Sequence, residues 1–127
     1  MKKTQVLPIP LLIGILLLIS PLAFSQLMTN SNVGITINAS TQLTVKGDVQ
    51  NMGTSTIANS GTIDLSGNWI NNSSNSCFGI SQGTVIFNGG NQSIGGSTST
   101  VFNHLTLAGT GIKTLLVNTT AGGGNVA

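Results

Sequence analysis

Gly61-Thr62-Ile63-Asp64-Leu65-Ser66-Gly67 and Gly83-Thr84-Val85-Ile86-Phe87-Asn88-Gly89 read as one pattern: Gly, Thr, apolar, x, apolar, x, Gly. The apolar-x-apolar-x-Gly part recurs at Leu43-Thr44-Val45-Lys46-Gly47 and at Leu105-Thr106-Leu107-Ala108-Gly109, so the four strand starts fall at positions 43, 63, 85 and 105. Alternation with period 2 marks a short strand with one buried face. A motif that returns about every 20 residues, one strand per copy, is the signature of a solenoid whose turns bury their apolar faces against one another.

Two further apolar spots recur within each period. One is Val49, then Trp69 with Ile70, then Ile94 and Ile112; the other is Ile57, then Phe78 with Ile80, then Val101. Three strands in about 20 residues describe one rung of a three-sided coil, each strand stacked ~4.8 Å above its counterpart. The expected fold is therefore all-β: a right-handed parallel β-helix, or β-solenoid, over residues 26–127, with coils starting near 43, 63, 85 and 105. Nothing beyond position 25 carries a helical period. An antiparallel sandwich also has many short strands, but it does not require a motif that repeats at constant spacing.

Alternation sends Leu43, Val45, Ile63, Leu65, Val85, Phe87, Leu105 and Leu107 inward and Thr44, Asp64, Ile86 and Thr106 outward. Gly47, Gly67, Gly89 and Gly109 would stack at one corner, where a side chain would obstruct the turn. Asn51 and Asn71 fall at equivalent offsets, which admits a stacked amide ladder, while the remaining asparagines read as turn formers.

The segment 1–25 reads as a separate unit. Met1-Lys2-Lys3 is a basic start, Val6 to Ile19 is a largely apolar run, and Ala23-Phe24-Ser25 is a small-x-small cleavage site before Gln26. Those are the three parts of a secretory signal peptide. A membrane-spanning helix would need about 20 apolar residues, and Pro8, Pro10 and Pro21 interrupt a helix here. The expected product is exported, begins at Gln26, and has no membrane attachment after cleavage.

The formal net charge of +2 comes from Lys2 and Lys3; beyond the leader, Lys46 and Lys113 balance Asp48 and Asp64. With no arginine and no basic patch, the electrostatic footprint of a nucleic-acid partner is missing. Cys77 is the single cysteine and reads as a small buried hydrophobe. A glycosidase needs two carboxylates at a set separation, but Asp48 and Asp64 fall at different offsets of successive coils. The single histidine, His104, reads as a surface turn residue, and one His with one Cys does not make a zinc site. Gly89-Gly90-Asn91 and Gly95-Gly96-Ser97 lack the aspartate of a calcium nonapeptide repeat. No catalytic, cofactor or metal residue is assigned.

Trp69 carries two readings. Exposed on a neutral surface, its flat face would stack on a sugar ring with Asn68, Asn71 and Asn72 beside it as glycan contacts. Its offset matches Val49, which points inward and makes it a core residue. An ordered-water face would need a regular Thr array, and the outward column is broken by Asp64 and Ile86.

The run Gly61-Thr-Ile-Asp-Leu-Ser-Gly-Asn-Trp-Ile-Asn-Asn72 resembles the repeats of secreted β-solenoid proteins of the Bacteroidota. So do Gly83-Thr-Val-Ile-Phe-Asn-Gly-Gly-Asn-Gln-Ser-Ile-Gly-Gly96 and Phe102-Asn-His-Leu-Thr-Leu107, and the leader ending Phe24-Ser25-Gln26 is similar to theirs. The resemblance spans Gly34 to about Asn118. It implies an extracellular or cell-surface protein of the type exported by type IX secretion, in which such repeats serve as stalks, adhesins and scaffolds. Members of that group continue for many coils and end in a sorting domain. The present sequence ends Ala121-Gly-Gly-Gly-Asn-Val-Ala127, so an N-terminal piece truncated at its C-terminus is expected.

Two functions follow as expectations. The first is a non-enzymatic structural or adhesive surface solenoid, partnered by surface glycans or proteins and able to self-associate through an open end. The alternative is a carbohydrate-binding or carbohydrate-processing β-helix.

Overall fold

A computed structural model describes residues 26–79 and 82–122. The leader reading (1–25) and the expected apolar position Ile80 lie outside the described residues. Among the described residues, thirteen short strands follow one another with no helix. Strands β1 (Gln26–Ser31), β2 (Gly34–Ile37) and β3 (Gln42–Val45) form the first coil, and β4 (Gly47–Gly53), β5 (Thr56–Asn59) and β6 (Thr62–Leu65) the second. The third has β7 (Trp69–Ser73) and β8 (Thr84–Phe87), with Phe78 bridging to Ile57 between them. The fourth has β9 (Gln92–Gly95), β10 (Thr100–Phe102) and β11 (His104–Leu107), and β12 (Lys113–Leu115) and β13 (Thr119–Ala121) continue into the next.

Every strand pairing among the described residues is parallel and joins one coil to the next. One wall is the five-stranded sheet β1-β4-β7-β9-β12, a second is β3-β6-β8-β11, and the third is made by the pairs β2-β5 and β10-β13. This is a three-sided β-solenoid of about four turns, about 21 residues apart. Leu43 stands over Ile63, Ile63 over Val85 and Val85 over Leu105, so the repeated register of the sequence is the register of the second wall.

The inward residues of that wall are buried, with Leu43 and Leu107, in the end coils, half-buried against the core. The outward column Thr44, Asp64, Ile86 and Thr106 is in register. Burial of this kind makes the two faces of one strand unequal. Leu65→Ala is expected to cost about 2–5 kcal/mol, whereas Asp64→Ala, which removes a carboxylate whose Oδ1 is buried without a partner among the described residues, should bring no comparable loss. Equal losses in denaturant melts of the two variants would contradict the inward assignment.

The other two columns differ from the sequence expectation at their ends. The column Met28, Val49, Trp69 and Ile94 closes on Leu115, while Ile112 is solvent-exposed. In the third wall Phe102 is buried and Val101 points out. The physical reason is unequal corner length. The corner that leads from the second wall to the first lengthens along the chain, from one residue between β3 and β4 to five between β11 and β12, so a fixed offset drifts.

The corner glycines owe their place to close approach between coils. A Cβ on Gly47 would strike the backbone of Gln26, and one on Gly67 the backbone of Gly47 and Asp48. Gly109 alone of that corner set has a positive φ, 74°. His104 lies in β11, paired with Thr84, and not in a turn.

Candidate functional site

Trp69 stands on the inward face of β7 because the column below and above it, Val49 and Ile94, faces the core. It is 0% exposed. Its ring stacks on Phe78 with centroids 5.2 Å apart and planes at 14°, and meets Phe102 edge-on at 5.6 Å. Phe87 in turn meets Phe102 at 6.2 Å, nearly perpendicular. The indole Nε1 donates to the Oγ1 of buried Thr100 at 3.0 Å, which satisfies its one polar group. No face of the indole is open to a sugar ring. The ring belongs to the core, and its expected role as a glycan contact is corrected.

The three asparagines expected beside it do not converge. Asn71 is fully buried; its Nδ2 donates to the carbonyls of Asn75 and Ser99, and its Oδ1 accepts from the Ser73 N–H. Asn68 and Asn72 lie at separate points, each committed to the next coil. The Oδ1 of Asn68 accepts from the N–H and Oγ of Ser93 at 2.8 and 3.0 Å, and that of Asn72 from the Ser97 N–H at 2.9 Å.

These two belong to a recurrent device that turn propensity does not announce. Asn32 Oδ1 accepts from the Thr54 N–H, Asp48 Oδ1 from the Asn68 N–H, and Asn91 Oδ1 from the Ile112 N–H, at 3.0, 2.7 and 2.9 Å. Each is a side-chain oxygen reaching forward to a backbone donor of the following coil. They satisfy N–H groups that the sheet ladders leave unpaired. The ladder expected from Asn51 and Asn71 is displaced by one coil: their backbones pair, but the amide–amide bond runs from Asn30 Nδ2 to Asn51 Oδ1 at 3.3 Å. Asn51 Nδ2 is buried without a partner among the described residues.

The two aspartates sit on different walls, Asp48 in β4 and Asp64 in β6, and Asp48 is occupied by the backbone N–H and Nδ2 of Asn68. Cys77 is buried at a positive φ of 58°, and burial pushes its thiol up to about 12, so the thiolate that would act as nucleophile or ligand is suppressed at neutral pH. Among the described residues no three His, Cys, Asp or Glu side chains are grouped to hold a metal ion. The surface of the described residues includes two shallow depressions. One, of about 350 Å³, crosses three coils along Gln42, Thr62 and Thr84 and is lined by hydroxyl, amide and backbone groups; the other, of about 290 Å³, lies between Asn68, Ser93 and Ile112.

The class these observations define is the parallel β-solenoid. The chain matches no known family model, no curated protein and no solved structure.

Proposed function

We propose that the chain is a non-enzymatic structural or adhesive β-solenoid of the cell exterior, akin to the Bacteroidota repeat proteins it resembles. The observation that carries this reading is the use already made of its polar side chains. Asp48, Asn68, Asn71, Asn72 and Asn91 are hydrogen-bonded within or between coils, and Trp69 is core. What such a stack offers its surroundings is length, a fixed cross-section and an uncharged hydroxyl- and amide-rich wall. Export is the premise, and it rests on the leader. Leu16→Arg places a charge at the centre of the apolar run, at a cost of about 2.5–3.5 kcal/mol. That variant is expected to stay inside the cell, while the parent appears outside it with an intact mass starting at Gln26. Recovery of an exterior product that still carries Met1 would overturn the proposed cleavage.

The carbohydrate-binding reading is supported by one feature, the uncharged trough along Gln42, Thr62 and Thr84. The Thr62 and Thr84 hydroxyls have no hydrogen-bond partner among the described residues and are available to an outside ligand. A glycan array separates a passive stalk from a protein that reads glycans at this trough: the stalk binds nothing, and the glycan reader binds in a way that Thr62→Val with Thr84→Val abolishes.

A further inference from the structure

The corner between β8 and β9 takes four residues, Asn88, Gly89, Gly90 and Asn91, where the corner between β3 and β4 takes Lys46 alone. The longer corner is held from inside by a side chain. Gln92, the first residue of β9, is 3% exposed. Its Oε1 accepts from the Gly89 N–H at 2.8 Å, and its Nε2 donates to the carbonyls of Leu65, at 3.1 Å, and Gly67 in the preceding coil. Two further clasps fix the same corner. The Asn88 N–H donates to the Leu65 carbonyl at 3.0 Å, and the Lys113 ammonium donates to the carbonyls of Gly89 and Gly90 at 2.8 and 2.7 Å.

This corner also carries the one Asn-Gly pair of the sequence, Asn88-Gly89. The side-chain carbonyl carbon of an asparagine is an electrophile that the next residue's amide nitrogen can reach by closing a five-membered ring. A glycine, with no Cβ, leaves that nitrogen the most accessible and the backbone the freest to turn. Asn88 is exposed, and its side-chain amide has no hydrogen-bond partner among the described residues. The electrophile is therefore open, and it is the nucleophile, the Gly89 nitrogen, that the fold keeps occupied.

We infer that Asn88 is a site of spontaneous deamidation, and that Gln92 is the positioning residue that keeps it silent while the corner is closed. In the first step the Gly89 nitrogen loses its proton to water and bonds to Cγ of Asn88. The Cγ–Nδ2 bond breaks, and Nδ2 takes up a proton and leaves as ammonia. Water then opens the cyclic imide at one of its two carbonyls, which gives aspartate or isoaspartate; nothing is oxidised or reduced. Gln92 opposes the first step twice. The proton that must leave is the one its Oε1 holds, inside the corner and away from solvent. Bringing the Gly89 nitrogen onto Cγ also requires the peptide to rotate, which breaks that bond and the Lys113 clasp on the Gly89 carbonyl.

The same corner makes the product hard to undo. Isoaspartate routes the main chain through the side-chain methylene and so adds an atom to it. Even a Cβ on Gly89 would strike the Ser66 carbonyl of the preceding coil. A chain modified while the corner is open therefore cannot close it again. The inference concerns how long the wall endures, and it is independent of what the wall binds.

The test incubates the purified full chain at mildly alkaline pH and reads each asparagine by peptide mass and by isoaspartate labelling. In urea Asn88 should convert ahead of every other asparagine. In the folded chain it should convert at least about tenfold more slowly than in urea, because only the opened corner reacts. Gln92→Met removes the acceptor and keeps the length of the side chain. Folded, that variant should convert at Asn88 up to about tenfold faster than the parent, the factor for one ordinary hydrogen bond lost. Asn72-Ser73, an exposed pair on β7, should keep the parent's rate, whereas a general loss of stability would raise both. A second measurement needs no variant. Across urea concentrations below the melting transition, Asn88 conversion in the parent should rise in parallel with hydrogen exchange at the Gly89 N–H. Three results would overturn the inference: a folded parent that converts as fast as in urea, a Gln92→Met protein no faster at Asn88 than at Asn72 relative to the parent, or conversion that stays flat while Gly89 exchange rises.

Discussion

Trp69→Ala is expected to destabilise the fold by about 3–5 kcal/mol, near the upper end for a single core truncation. The indole is the largest fully buried side chain among the described residues. Its removal leaves a void between Phe78 and Phe102, and the Thr100 hydroxyl loses the donor that satisfies it inside the core. Trp69→Phe separates these contributions. It keeps most of the ring and should cost about 1–2 kcal/mol, chiefly for the lost hydrogen bond. Urea melts of the two variants give the comparison. A Trp69→Ala protein as stable as the parent would mean that the ring is not packed between Phe78 and Phe102.

Gly67→Ala is the smallest substitution with a large expected effect. The added methyl group would meet the Asp48 carboxylate, which can turn away, and also the backbone of Gly47 and Asp48, which cannot, so the coils must separate at that corner. That separation strains the Gly67 N–H to Gly47 carbonyl bond at 3.0 Å and the Asp48 to Asn68 clasp at 2.7 Å. A loss of about 3 kcal/mol or more is expected, at or beyond the usual range for overpacking. Gly90→Ala is the matched control. A Cβ there meets nothing within 4 Å, and the change should stay within about 0.5 kcal/mol. Similar melting curves for the two alanine variants would show that the coils do not approach as closely as described.

The wall built from β3, β6, β8 and β11 is fully legible in the sequence, because its strands recur at nearly equal spacing and a strand's two-residue period separates inside from outside. The other two walls are legible only in their middle coils. The corners before β9 and β12 are longer than those before β4 and β7, and counting from a fixed start therefore picks Val101 and Ile112 in place of Phe102 and Leu115. The first coil is hard to see for another reason: Leu27, Met28 and Ile35 lack the closing glycine that marks the later copies. At the candidate site, the match of Trp69 to Val49 is enough to place the ring inward. The role of the asparagines is not visible in the same way. Turn propensity is a property of a local stretch, whereas the bonds from Asn68 to Ser93 and from Asn91 to Ile112 depend on which residue the next coil brings alongside.

The spacing of the ladders also governs how the molecule can be assembled. Paired residues lie close to one repeat apart in every wall, as Gln42 with Thr62 and Trp69 with Ile94 do. The chain segment that must be closed to lay down a coil is therefore nearly the same for the fourth coil as for the second. Closure entropy depends on the logarithm of segment length, so even the longest of these steps adds only about 0.2 kcal/mol over the shorter ones. A globular fold of rising length must bring ever more distant residues together. Here the distance along the chain never grows, and the entropic barrier to adding one more turn is set by the repeat and not by the size of the protein.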